Sequence, residues 1–105
     1  MSEETISARE LRAQRESKRI IDIRKEPDDR AIPGSSRFDG DALASGHELP
    51  FTQDESIVFY CGRGNSCRRV AAALRERGYD AVALEGGYAS WRDAGFETEP
   101  LRVSE

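Results

Sequence analysis

The sequence predicts an α/β fold, a small parallel β-sheet flanked by helices on both faces, and three observations predict it. Ser56-Ile57-Val58-Phe59-Tyr60 is an unbroken run that is apolar on both faces, as a central parallel strand should be. Cys67, Val70, Ala71 and Leu74 follow at the i, i+3, i+4, i+7 spacing of a helix packed on a sheet. Strand-like and helix-like segments then alternate to the end of the chain, the pattern that builds a parallel sheet with crossover helices. At 105 residues and 37% hydrophobic, the chain has the size and apolar content for one core, and residues 1–105 are expected to form a single domain.

Taken in order, the first element is announced at Ser7. Ser7 and Glu10 match the S-x-x-E capping box, with Ile6 and Leu11 placed as a hydrophobic staple, so a helix is expected over residues 8–16. Arg19 to Ile23 is β-branched and apolar and reads as a strand. Pro27, Pro33 and Gly34 make residues 24–36 mostly loop. A short strand is expected at residues 36–38 and a helical turn at 40–44. After the central strand at 56–60, residues 61–66 form a Gly-containing turn into the striped helix. Gly78 is placed to end that helix, with Arg75 and Arg77 favourable in its last turn. Ala81 to Leu84 reads as another apolar strand, Gly86-Gly87 as a turn, and Tyr88 to Ala94 as a short helix closed by Gly95.

Composition narrows the function. Sixteen Lys and Arg against 20 Asp and Glu leave a net charge of −4, which gives no electrostatic reason to expect nucleic acid or an anionic membrane as partner. The apolar runs are far too short to span a bilayer. The opening MSEETISARE has no basic stretch followed by an apolar one, so no secretory signal is expected. The two cysteines are then expected to stay reduced, in a cytoplasmic protein. No metal site is expected either, since two cysteines and the single His47 cannot fill four zinc positions without carboxylates.

The chemistry is concentrated in Cys61-Gly62-Arg63-Gly64-Asn65-Ser66, just past the C-terminal end of the central strand, where open α/β sheets hold ligands. The turn runs into a helix N-terminus, whose unpaired N–H groups and dipole favour an anion. Gly62 and Gly64 are expected to take positive φ and curl successive N–H groups around the Cys61 sulfur. Arg63, Arg68 and Arg69 add positive charge. A cysteine so placed should be largely thiolate near neutral pH, a nucleophile needing no separate base and no cofactor.

This six-residue turn resembles the active-site loop of the rhodaneses, whose first cysteine carries sulfur. Three further segments resemble that family in the right order: Ile21-Asp22-Ile23-Arg24, Ile32-Pro33-Gly34-Ser35, and Leu84-Glu85-Gly86-Gly87-Tyr88 with Trp91. Together they cover about residues 5–96. The chain departs from the family in a short stretch between Arg24 and Ile32, and in Ala31 where a His often precedes the turn. The resemblance implies a thiosulfate sulfurtransferase. It would move a sulfane sulfur from thiosulfate or a related donor to cyanide or a thiol, through a persulfide on Cys61. Cys61 is the expected catalytic residue; Gly62, Arg63, Gly64, Asn65 and Ser66 are expected to bind the substrate. The implied partners are a small anionic donor and a thiol or protein acceptor, and the chain is expected to act as a monomer.

Other residues carry plainer expectations. Cys67 lies on the apolar stripe and is expected to be a buried structural thiol, the alternative being a resolving cysteine that forms a disulfide with Cys61. Asn65 and Ser66 are expected to cap the helix before they touch any ligand. Asp22 and Arg24 are expected to pair and brace the loop, Glu85-Gly86-Gly87 and Trp91 to serve as turn and core, and His47 to have no catalytic role. Two other functions compete with sulfur transfer. A non-enzymatic sulfur-relay or docking module would share these features. A phosphatase or arsenate reductase would need an Arg six positions after the cysteine, where this chain has Cys67.

Overall fold

The protein is described here as a computed structural model covering residues 5–25, 29–45, 49, 51–62 and 65–101, with residues 65 and 66 described in backbone only. Its strands are β1 (Thr5–Ile6), β2 (Arg19–Asp22), β3 (Arg30–Ala31), β4 (Ser36–Arg37), β5 (Ser56–Tyr60), β6 (Asp80–Leu84) and β7 (Glu99–Pro100). The helices are α1 (Ala8–Gln14), α2 (Gly40–Ser45), α3 (Asn65–Arg75) and α4 (Gly87–Asp93). Five strands form one parallel sheet in the order β1-β6-β5-β2-β4, and β3 and β7 pair antiparallel apart from it.

The α/β prediction holds, and the side-chain alternation of β5 shows why. Ile57, Phe59 and Cys61 point to one face, where they pack with Cys67, Val70, Ala71 and Leu74 of α3 and Leu43 of α2. Val58 and Tyr60 point to the other, against Leu11 of α1 and Tyr88 and Trp91 of α4. Burial on both sides is what an apolar run with no polar alternation demands. The helical spacing of the α3 stripe aims one face of that helix at the sheet.

Helix ends follow local chemistry. At α1 the Ser7 hydroxyl accepts from the Glu10 N–H at 3.1 Å, and the Glu10 carboxylate accepts from the Ser7 N–H at 3.2 Å, completing the predicted box. The helix is shorter than expected: it ends at Gln14 and tightens into a 3₁₀ turn over Arg15–Ser17, with the Ser17 hydroxyl donating to the Gln14 carbonyl at 2.9 Å. At the far end of α3, Gly78 donates to the Arg75 carbonyl and Tyr79 to that of Leu74, a Schellman closure made possible by φ +93° at Gly78. Gly95 ends α4 in the same way, at φ +78°. Among the described residues no helix is long and apolar enough to cross a membrane.

Candidate active site

Cys61 follows β5 directly, at the C-terminal edge of the central strand. It belongs to the core cluster under α3 and is 7% exposed. Its peptide is held from an unexpected direction. The first N–H groups of α4 have no partners within their own helix. Two of them turn to the loop: Tyr88 donates to the Cys61 carbonyl at 2.7 Å and Ala89 to the Gly62 carbonyl at 3.1 Å. Tyr88 and Ala89, expected only as the start of a short helix after the Gly86-Gly87 turn, therefore fasten the residues around the sulfur. Trp91 is fully buried, as expected of a core residue.

The expected brace is built. Asp22 is wholly buried at the end of β2, and Arg24 is 5% exposed. Asp22 Oδ1 accepts from the Arg24 backbone N–H and from Nε, both at 3.0 Å, and Oδ2 accepts from Nη2 at 2.8 Å. Arg37 adds a longer ionic contact at 3.4 Å. With its charge held this way, the Arg24 guanidinium lies over the Tyr88 ring at 4.3 Å and near the Tyr60 ring at 5.3 Å. The line of contacts runs from Asp22 through Arg24 to Tyr88, and so to the Cys61 carbonyl. Tyr60 closes the cluster with its hydroxyl, which meets the Ser35 hydroxyl at 3.0 Å and accepts from the Ile32 N–H at 3.3 Å. Burial, and then the neighbouring Asp22 carboxylate, push the Tyr60 phenol up to about 12.

The loop itself departs from expectation at Gly62. Its φ lies outside the left-handed region, and a Cβ there would meet nothing within 4 Å. Backbone strain does not demand glycine at that position, so the predicted curl does not start there. Arg63 and Gly64 lie outside the described residues, as does His47. Asn65 and Ser66 are the first two residues of α3, one step inside the capping position expected of them. Arg68 and Arg69 are exposed on α3.

Cys67 is fully buried, as its place on the stripe predicts, and its sulfur lies 3.4 Å from that of Cys61 with no disulfide between them. As thiols, Cys61 donates to Cys67, and Cys67 in turn reaches the Leu84 carbonyl at 4.0 Å. The hydrogen bond with Cys61, and behind it burial, push the Cys67 thiol up. The Cys67 thiol therefore holds its proton. Once Cys61 has lost its own, the bond can only run the other way, from the Cys67 S–H to the Cys61 sulfur. Among the described residues no three His, Cys, Asp or Glu side chains are grouped to hold a metal ion.

Comparison with known proteins places this geometry in a family. The chain is 34% identical over 80 residues to a tRNA sulfurtransferase of Desulfurococcus amylolyticus, covering 74% of this chain and 15% of that protein. It is 40% identical over 47 residues to a thiosulfate sulfurtransferase of Actinobacillus succinogenes, covering 44% of this chain and 42% of the relative. The matches thus span less than half the length of these curated relatives. Among solved structures, a Rhodopseudomonas palustris protein described as a possible tyrosine phosphatase superposes with a TM-score of 0.78 at 30% identity, over 92% of this chain and 85% of that one. Residues 7–94 match the rhodanese-like domain, and the chain belongs to that family.

Proposed function

We propose that the chain is a sulfurtransferase in which Cys61 carries the transferred sulfur. The observation that carries this reading is the placement of Cys61: directly after the central strand, ahead of the α3 N-terminus, with its carbonyl tied to the start of α4. In the proposed first step the Cys61 thiolate attacks the outer sulfur of thiosulfate or a related donor. The donor's S–S bond breaks, sulfite leaves with the electron pair, and Cys61 holds a persulfide. In the second step cyanide or a thiol attacks that outer sulfur and the Cys61 thiolate returns. The positive end of α3 and the charge of Arg63 stabilise the anion in both steps, with Gly62, Gly64, Asn65 and Ser66 forming the rest of the cradle. A small anionic donor and a thiol or protein acceptor, met by a monomer in a reducing cytoplasm, fit this scheme.

A second reading is favoured by the likeness to one part of a much longer tRNA sulfurtransferase. The chain would then relay its persulfide to a protein partner, using the same Cys61. A phosphatase or arsenate reductase is disfavoured on geometry. The position where such enzymes need an arginine holds Cys67, buried against Cys61, and Arg68 next to it is exposed. The test is thiocyanate formation from thiosulfate and cyanide, with a persulfidated thiol acceptor assayed alongside. Turnover that Cys61→Ser abolishes is the expected result; turnover that survives Cys61→Ser overturns the reading.

A further inference from the structure

Sulfur transfer as proposed gives Cys67 no part, yet its sulfur is placed within 3.4 Å of Cys61. Cys67 is 0% exposed and Cys61 is 7% exposed, so a reagent from solvent meets Cys61 first and Cys67 can react only with what Cys61 carries. Bringing the two sulfurs to the roughly 2.05 Å of a disulfide needs a closure of only about 1.4 Å, within the reach of small side-chain and loop adjustments. An isolated oxidised cysteine goes on to sulfinic and sulfonic acids that ordinary thiols do not reverse, whereas a neighbouring thiol diverts it to a disulfide.

We infer that Cys61 and Cys67 form a reversible oxidation site, in which Cys67 traps Cys61 after attack by a hydroperoxide and shields it from irreversible loss. The inference rests on the reading of Cys61 as the reactive thiol. In the first step the Cys61 thiolate takes one oxygen from the hydroperoxide, whose O–O bond breaks to release an alkoxide or hydroxide; the sulfur is oxidised by two electrons to a sulfenic acid. In the second, the Cys67 sulfur attacks Cys61 Sγ, the S–S bond forms, the S–O bond breaks, and the departing hydroxide leaves as water with the Cys67 proton. The Cys67 proton goes with the departing hydroxide, so the step releases water and needs no other proton source. A small-molecule dithiol then reduces the disulfide and restores both thiols. While the disulfide is closed, Cys61 cannot accept sulfur.

The experiment exposes the reduced chain and its Cys67→Ala variant to hydrogen peroxide, reads intact mass without reductant, then adds dithiothreitol and tests sulfur loading from thiosulfate. The wild type should become lighter by two hydrogens as a monomer, with a 61–67 cross-link in the peptide map, and should recover most of its loading after the dithiol. Cys67→Ala should instead gain oxygens on Cys61 that the dithiol does not remove, and recover little. If circular dichroism shows Cys67→Ala unfolded, Cys67→Ser takes its place with the same readout. Wild type that gains oxygens on Cys61 as the variant does, or that links only between chains, overturns the inference. Reduced wild type that closes the disulfide but never loads sulfur would instead overturn the sulfur-transfer reading and leave the oxidation site standing.

Discussion

Replacing Asp22 with Asn should cost more than any exposed ion pair could. Asp22 is fully buried and its two oxygens accept three hydrogen bonds from Arg24, itself 5% exposed, with Arg37 nearby. Asparagine keeps one acceptor and turns an NH₂ group toward a guanidinium, so a buried positive charge loses its counter-charge. Breaking a buried pair from one side typically costs about 3–5 kcal/mol, against roughly 0–1 for an exposed pair. With a urea slope of about 1.5 kcal/mol/M, suited to a domain of this size, the midpoint should fall by roughly 2–3 M. Trp91 reports the transition, being the chain's one tryptophan, fully buried, with its indole N–H donating to the Glu97 carbonyl at 2.7 Å. Arg24→Met and the double variant complete a cycle, and the double should be less destabilised than the sum of the singles, since removing both charges leaves none stranded. A loss below about 1 kcal/mol for Asp22→Asn, with an additive double, would refute the claim that this pair holds the end of β2 against the Cys61 loop.

Three further expectations can be checked with simple variants. The Tyr60 phenol is raised from 10.0 to about 12, so the fold binds its proton more tightly than the unfolded chain does; its contribution is complete below pH 10.0 and is lost as pH climbs toward 12, up to about 2–3 kcal/mol. Tyr60→Phe should therefore flatten the alkaline fall in urea midpoint while costing about 1 kcal/mol at neutral pH for the lost hydrogen bonds, and an unchanged alkaline slope would contradict the assignment. Cys67→Ala should keep most thiosulfate–cyanide turnover at a cost of about 1 kcal/mol in stability, and a loss matching that of Cys61→Ser would make Cys67 a participant in sulfur transfer. Arg63→Ala should raise KM for thiosulfate more than it lowers kcat, several-fold in kcat/KM for a screened interaction of about 1 kcal/mol, and kinetics unchanged in value and salt dependence would make Arg63 a surface charge only.

How much of this was legible in the sequence depended on the reach of each signal. β5, the α3 stripe and the α1 capping box are written in contiguous residues of strong periodicity or fixed spacing, and they appear where expected. β1, β3 and β7 are two residues each, too short for any period to show. The pairing of Arg30 with Pro100 and of Ala31 with Glu99 joins positions that no local pattern connects. At the candidate site, the position of Cys61 just past β5, the Asp22–Arg24 pair and the burial of Cys67 were legible because each follows from a strand end or a helical face. The hold of α4 on the Cys61 and Gly62 carbonyls was not, because backbone donors carry no side-chain signature. The positive φ expected at Gly62 was read from residue type alone, and the chain there stays in ordinary backbone space.

The central claim, that Cys61 carries the sulfur, is tested most directly by the intact mass of the reduced chain after incubation with thiosulfate and removal of excess donor. The account predicts a gain of one sulfur atom, located on Cys61 by peptide mapping, discharged by cyanide or a dithiol, and missing in Cys61→Ser. Wild type that gains no sulfur, or Cys61→Ser that gains it equally, would contradict it.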